Sequence, residues 1–387
     1  MTDLAGGYGA LDLLCGETDA DAFVHVADRG DPTQLFLTRF HGPDRPYAFV
    51  YELDGGPTDD REGTATLCAP ALFDEQAARE FAGDRVLALG PDSARTPEGR
   101  AAALLDDGAR VAVLDTAGAR TLARLEDGGV EPITVDPAPV ERARRRKTAG
   151  EVDRLRAVQR ATRAGMRRAE AVLAASAADG DTLRYEGAPL TTERLRREVN
   201  ATLAREGVSD AGNTVIGAGP TCADLHFVGE DTVRPGETVL LDISPRGPDG
   251  YYGDFTRTFV PGGAAGWERD VYDAVADALE AALGVLDRGA GVEGAAVSAA
   301  VEEALAAGGF GDAAAPRMTH GPGHGVGLAL HEAPGYGGTL RAGDVVTIEP
   351  GLYDPARGGV RLEDLVLVTE EGIERFGAYR LDPKPRA

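Results

Sequence analysis

Three of the chain's six histidines, His320, His324 and His331, fall in one short stretch, THGPGHGVGLALH at 319–331. Glycines at 321, 323, 325 and 327 separate them, a composition poorly suited to a packed helix or a strand interior. Such a run lets backbone come close to something bound, and an imidazole held among glycines can ligate a metal or move a proton. The plain alternative for the stretch alone is a flexible loop whose histidines are merely polar. Carboxylates elsewhere bear on the choice. The run VLLDI at 239–243 sets Asp242 into an apolar strand pattern, where an unpaired charge costs on the order of several kcal/mol. After a turn reading PRGPDG, the segment GDFTRTF offers Asp254, and a hairpin joining the two would bring both carboxylates to one face. VVTIE ends in Glu349 ahead of Pro350 and Gly351, and GVRLEDLVLV carries Arg361 and Glu363 into another apolar run. Each residue has an ordinary explanation: Asp242 as a cap, Asp254 paired with Arg257, Glu349 paired with Arg361. Together they are four carboxylates and an imidazole at the ends of apolar strands, and so much buried negative charge calls for cations. Oxygen-rich sites suit Mn²⁺ or Co²⁺ better than thiolate-loving metals. Two metals sharing bridging carboxylates would hold a hydroxide between them as nucleophile.

The elements that must position these residues follow from periodicity. Up to about residue 140, short apolar runs alternate with helical patterns. Strands are expected at Phe23–Ala27, Leu35–Phe40, Tyr47–Leu53, Arg85–Leu89, Val111–Asp115 and Pro132–Asp136, and helices at Phe73–Ala82, Pro97–Leu105 and Ala119–Leu125. That alternation predicts an α/β domain on a mixed sheet, spanning 1–140. His25 and His41 lie in it without partners and read as surface or satisfied core histidines. The basic segment PAPVERARRRK at 137–147 is read as a charged linker entering a helix rather than a nucleic-acid patch. Thr148 and Glu151 form a capping box ahead of a long amphipathic helix bearing Val152, Leu155, Met166, Ala169 and Leu173. Further helices are expected around Leu195–Leu203, Val271–Leu286 and Val297–Leu305, with the carboxylate-bearing strands between and after them. Residues 141–387 therefore read as an α+β domain.

Composition narrows the function. At 387 residues, two domains are the default. Net charge is −24, from 64 acidic against 40 basic residues, which argues against nucleic acid and anionic lipid as partners. Only Lys147 and Lys384 are lysines. Acidic excess with so little lysine suggests adaptation to high salt, where screening relieves self-repulsion; a GC-rich genome favouring Arg and Ala explains it as well. Cys15, Cys68 and Cys222 have no metal or redox spacing and read as core residues of a reducing compartment. No signal peptide and no membrane span is visible, so a cytoplasmic location is expected.

In this order, the motifs LLDIS…GDFTRTF, HGPGHGVGLALHEAP, TIEPGLY and GVRLED resemble those of the pita-bread metallopeptidases. That family includes Xaa-Pro aminopeptidase (aminopeptidase P), Xaa-Pro dipeptidase (prolidase) and methionine aminopeptidase. The resemblance covers about Lys147 to the C-terminus and, more loosely, the whole chain. It implies an α/β amino-terminal domain followed by an α+β pita-bread (creatinase/aminopeptidase) domain. It implies two divalent metal ions, manganese by preference with cobalt or zinc possible, held by Asp242, Asp254, His324, Glu349 and Glu363. Asp254 and Glu363 would bridge the ions, Asp242 would serve one, and His324 with Glu349 the other. His226, in DLHF, matches the family's upstream active-site histidine, and His331 the one at the scissile region. His320 and Arg361 match substrate-side and supporting groups, and Glu349 the proton shuttle. The implied substrates are proline-containing peptides or dipeptides, and the implied assembly is a homodimer. One departure is the Asp242–Asp254 spacing of twelve, one longer than the family's habit.

The amino-terminal domain and the GVRLEDLVLVTEEG ending favour the Xaa-Pro branch over methionine aminopeptidase. A non-catalytic pita-bread binding module, or a metal-free creatinase-like hydrolase, would lack ligands that this chain retains. Arg246 and Arg257 are candidates for recognising the free carboxylate of a dipeptide.

Overall fold

The computed structural model describes residues 8–53, 63–91, 93–311 and 316–386. The chain divides into two compact units, Met1–Arg144 and Arg145–Ala387.

The first unit runs α1 (Gly9–Thr18), β1 (Ala22–Ala27), α2 (Pro32–Thr38), β2 (Tyr47–Leu53), β3 (Gly63–Cys68), α3 (Asp74–Glu80), β4 (Arg85–Leu87), α4 (Pro97–Ala102), β5 (Arg110–Leu114), α5 (Ala119–Asp127) and β6 (Glu131–Val135). Its six strands form one sheet in the order β4-β3-β2-β1-β5-β6. The β1–β2 and β2–β3 pairs are antiparallel and the others parallel, so the sheet is mixed. One strand expectation is corrected: Leu35–Phe40 belongs mostly to helix α2. Asp31 caps it, accepting the Gln34 N–H at 2.7 Å, and Pro32 occupies the first helical position. That start signal outweighs the apolar run behind it. Two elements escape the periodicity: β3, which reads GTATLC with little apolar contrast, and α1, which carries glycines at 9 and 16. His25 is a satisfied core histidine, 2.9 Å from Asp31.

The second unit begins where helix α6 (Ala138–Arg145) ends, and its first long element is α7 (Ala149–Ala175). Both capping-box bonds are present, Thr148 N–H to Glu151 at 2.9 Å and Glu151 N–H to the Thr148 hydroxyl at 3.3 Å. There follow β7 (Ala177–Asp179), β8 (Thr182–Tyr185), β9 (Ala188–Pro189), α8 (Thr192–Arg205), β10 (Thr214–Ala218), β11 (Val239–Ile243) and β12 (Phe255–Phe259). Then come α9 (Trp267–Leu286), α10 (Gly294–Ala307), β13 (Val345–Ile348), β14 (Gly351–Asp354), β15 (Gly358–Arg361), β16 (Asp364–Val368) and β17 (Ile373–Arg375). Two helix pairs each cover strands. Met166, Ala169 and Leu173 of α7, with Leu195, Val199 and Leu203 of α8, pack on Ile216, Leu241 and Phe259 of the β10-β11-β12 sheet. Val275, Leu279 and Leu283 of α9, with Val297 and Val301 of α10, pack on Val346, Ile348, Leu352 and Val366.

The basic segment is spent inside the fold. Arg144 is buried near Thr33, Arg145 binds both oxygens of Asp344, and Lys147 pairs with Glu332. All three cysteines are buried and none is in a disulfide. Among the described residues no helix is long and apolar enough to cross a membrane.

The two sheets are tied by Arg257 of β12. Its guanidinium donates to the Glu363 carbonyl at 2.6 Å and to Asp364 at 2.8 Å, with 1% and 2% of the Arg257 and Asp364 side chains exposed. Truncating one partner of such a pair strands the other charge in the core. Asp364→Ala should therefore lower stability by about 3–5 kcal/mol, read as a fall in the urea midpoint of the unit 145–387. A loss below about 1 kcal/mol, the range of an exposed pair, would contradict the burial argument.

Candidate metal centre

Strands β11 and β12 are antiparallel neighbours with Asp242 opposite Thr256. Continuing that register sets Ser244 opposite Asp254, so Asp242, Ser244, Asp254 and Thr256 share one face. The Ser244 hydroxyl lies 2.9 Å from Asp254 Oδ1 and 3.1 Å from Asp242 Oδ1, and it can donate to either. Gln159 of α7 clamps the Asp254 backbone from both sides: its amide donates to the carbonyl at 2.7 Å and accepts the N–H at 2.9 Å. The longer loop between the aspartates folds on itself. Arg246 bridges Ser209 and Tyr252, and Gly247 N–H reaches Tyr251 O at 2.8 Å, so the extra residue leaves the strand register untouched.

The second sheet supplies the other side. Ile348 of β13 faces Asp364 of β16, and the next step of that register brings Glu349 across from Glu363. Glu363 N–H donates to Thr256 O at 3.1 Å, and its carboxylate accepts the Thr256 hydroxyl at 2.7 Å. One oxygen each from Asp242, Asp254 and Glu363 all lie within 4.8 Å of one another. His324 Nε2 is 3.4 Å from Glu349 and 3.6 Å from Asp254. With His324 Nδ1 3.1 Å from the Gly325 carbonyl, the hydrogen belongs on Nδ1 and the Nε2 lone pair is left for a ligand.

The glycine-rich run holds His324 there by touching protein. Thr347 N–H donates to His324 O at 2.8 Å, and His324 N–H to the Thr347 hydroxyl at 2.9 Å. A Cβ on Gly323 would sit 2.2 Å from Thr347 O. The glycine there serves a close approach to β13, not one to a bound molecule.

Arg361 is the guanidinium that touches this cluster. It donates to Asp242 at 2.6 Å, to the Thr256 hydroxyl at 3.2 Å and to the Tyr353 hydroxyl at 3.1 Å, and it lies 3.9 Å from Glu349. Four carboxylates against that one cation would leave three net negative charges if all were ionised. Burial, followed by repulsion from Asp242 and Glu349, holds Asp254 well above the ordinary carboxylate range. Glu363 is raised by burial and then by Asp254, Glu349 and Asp242. With 4% and 2% of these residues exposed, water gives little relief. An oxygen-rich, over-negative, buried donor set with one free imidazole nitrogen fits divalent cations.

Around it, the His331 ring lies 4.1 Å from that of His324, centroid to centroid, and partial burial and then the His324 imidazole lower its pKa. His320 Nε2 accepts the Tyr353 hydroxyl at 2.7 Å and its Nδ1 faces Gly321 O at 2.8 Å, with burial keeping the ring neutral. His226 is exposed and has no hydrogen-bond partner among the described residues. Arg257 is committed to Asp364 and three carbonyls, which removes it as a receptor for a substrate carboxylate.

Residues 153–370 match the profile of metallopeptidase family M24. The chain belongs to metallopeptidase family M24. A relative, the probable dipeptidase PepE of Mycobacterium tuberculosis, is 34% identical over 187 residues, covering 47% of this chain and 48% of that protein. The chain thus matches about half the length of the curated relatives. Among solved structures, the Xaa-Pro dipeptidase of Bacillus anthracis superimposes with a TM-score of 0.81 at 22% identity, covering 98% of each chain. The X-Pro aminopeptidase of Thermotoga maritima does so at 0.79 and 20%, over 97% of this chain and 99% of that one. Those likenesses establish the two-part pita-bread fold. Membership of M24 implies divalent metal ions, which the donor set fits.

Gln159, Ser244, Thr256, Thr347 and Tyr353 were not singled out from sequence; of these, only Gln159 left a signal, a polar side chain on the buried stripe of α7, four residues after Leu155.

For this M24 chain the raised carboxyls set a sign. A carboxyl whose native pKa lies above its unfolded value keeps its proton where the unfolded chain has lost it. Its stabilisation is present below the usual carboxylate pKa and lost as pH rises through the raised value. In chelator, the wild-type Tm should fall from about pH 4 toward neutrality more steeply than that of Glu363→Gln. Saturating divalent metal should reverse the ranking, because it binds only the intact native set. Superimposable Tm curves in chelator would contradict the buried repulsion.

Proposed function

We propose that this M24 chain is a dinuclear metal-dependent exopeptidase that hydrolyses the Xaa-Pro bond, at the N-terminus of peptides or in dipeptides. The observation that carries the reading is the convergence of Asp242, Asp254, Glu363, Glu349 and His324 from two sheets onto one buried point. In this reading those five would hold two divalent ions, with Asp254 and Glu363 serving both and manganese preferred. Divalent cations bound there would supply an activated water and polarisation of the scissile carbonyl.

The chain's own residues do the rest. Glu349 takes the proton released as water attacks the carbonyl carbon and delivers it to the proline nitrogen as the C–N bond breaks. His331, neutral by its lowered pKa, donates to the carbonyl oxygen as it becomes negative. His226 and His320 face the substrate, and Arg361 serves it indirectly by holding Asp242. The bond to proline has no N–H, so a site that recognises the peptide through imidazoles rather than through that hydrogen suits it. A homodimer, a cytoplasmic location and tolerance of high salt complete the proposal, the last resting on the −24 charge.

A methionine aminopeptidase-like specificity is the runner-up, and a non-catalytic binding module the reading from another class. The test is hydrolysis of Ala-Pro, Ala-Pro-Ala and Met-Ala-Ala by the Mn²⁺-loaded protein in high salt, with metal counted by mass spectrometry. Cleavage of Ala-Pro alone makes it a dipeptidase, and cleavage of the tripeptide an aminopeptidase. Turnover of the methionyl peptide alone moves it to the runner-up. Two metals bound with none of the three cut would restore the binding module. Glu349→Gln should lower kcat by about 10²–10⁴-fold, and His324→Ala should lose metal along with activity.

A further inference from the structure

Lys147 is one of two lysines in the chain, and it is buried. Its ammonium lies 2.6 Å from Glu332 Oε1, with 1% and 4% of the two side chains exposed, and it also reaches Arg145 O at 3.3 Å. Glu332 directly follows His331. Its second oxygen accepts Ala329 N–H at 3.1 Å, and its own N–H donates to Gly325 O at 2.9 Å. Gly327 lies so close that a Cβ there would stand 2.1 Å from the same carboxylate. The carboxylate therefore sits inside the loop 325–332 and closes it, and Lys147 brings the balancing charge from the segment ahead of α7. What this loop presents is the imidazole of His331, against His324.

We propose that Lys147 and Glu332 are positioning residues that fix the His331 imidazole beside the metal centre, touching neither metal nor substrate themselves. The inference deepens the peptidase reading and rests on it for its kinetic arm. Without its interior ion pair the loop must admit water or refold around a carboxylate that has lost its countercharge, and either displaces His331.

The test is a double-mutant cycle on the metal-loaded full chain. Lys147→Met should lower kcat about 10–100-fold with KM within about 3-fold and metal stoichiometry unchanged. In a His331→Ala background the same change should cost less than about 3-fold, because the group it acts through is gone. Equal losses in both backgrounds, or metal lost in step with activity, would overturn the proposal. If Lys147→Met does not fold, Glu332→Gln, which keeps the side chain's shape, takes its place in the cycle. A second arm needs no turnover: in histidine-labelled protein the imidazole signal of His331, identified by its absence in His331→Ala, should shift in the Lys147 or Glu332 variant. That of His25, in the other unit, should stay. An unmoved His331 signal overturns the inference even where activity falls, and a moved one upholds it even where no proline peptide is cut, which is a separate failure of the peptidase reading.

Discussion

Mutual repulsion among Asp242, Asp254, Glu349 and Glu363 is the constraint on which the 145–387 unit depends. The four would separate if their backbones were free to move, because one guanidinium cannot offset them. Each is instead carried at the end of a paired strand, and the ends are fastened to one another. Gln159 grips both polar groups of the Asp254 backbone, Thr256 binds Glu363 by main chain and side chain, and Arg257 lies beneath with Asp364 as its countercharge. Most of these bonds hold backbone; the Thr256 hydroxyl takes one oxygen of Glu363 and leaves the other for a cation. Bonds that fasten the strand ends to one another place the carboxylates ahead of any cation, which is what a metal site requires.

The histidines are positioned by a different device. His324 reaches the same point from a loop outside the strands, bonded by its backbone to Thr347 of β13. A loop laid flat against β13 can do so, provided its backbone approaches within contact distance, and Gly323 is the residue that permits it. The same loop then turns back through Gly327 and Glu332 to present His331. Two glycines of this stretch therefore permit close contacts within the protein, Gly323 with the Thr347 carbonyl and Gly327 with the Glu332 carboxylate.

Much of this was legible in the sequence where a residue's chemistry conflicts with its surroundings. Asp242 in VLLDI, Glu349 at the end of VVTIE and the Thr148–Glu151 box each announce a structural role by type and position. The β11–β12 hairpin follows from a turn between two apolar runs, and its register then places Asp254. Residues that act only through neighbours left little trace. Ser244, Thr256 and Tyr353 are ordinary strand residues until the opposite strand is known, and Lys147 looked like one more charge in a basic linker although its partner lies 185 positions away. In the first unit the apolar run Leu35–Phe40 suggests a strand, whereas Asp31 and Pro32 ahead of it start helix α2. Local start signals were the better guide there.

The centre draws on both helix-covered sheets of the unit. Asp242 and Asp254 come from β11 and the start of β12, while His324, Glu349 and Glu363 come from the loop beside β13 and from the segments flanking β13 and β16. Neither half carries a complete donor set. The contacts that join them, Thr258 to Arg361 and Arg257 to Glu363 and Asp364, are directional bonds between buried groups and so fix the two halves in one arrangement. A cation held by this set bonds to both halves at once, so its binding free energy adds to the free energy that keeps them together. The same negative charge that weakens the unit without cations is therefore the source of its cohesion with them, and the native arrangement is favoured most strongly in the state that can do chemistry.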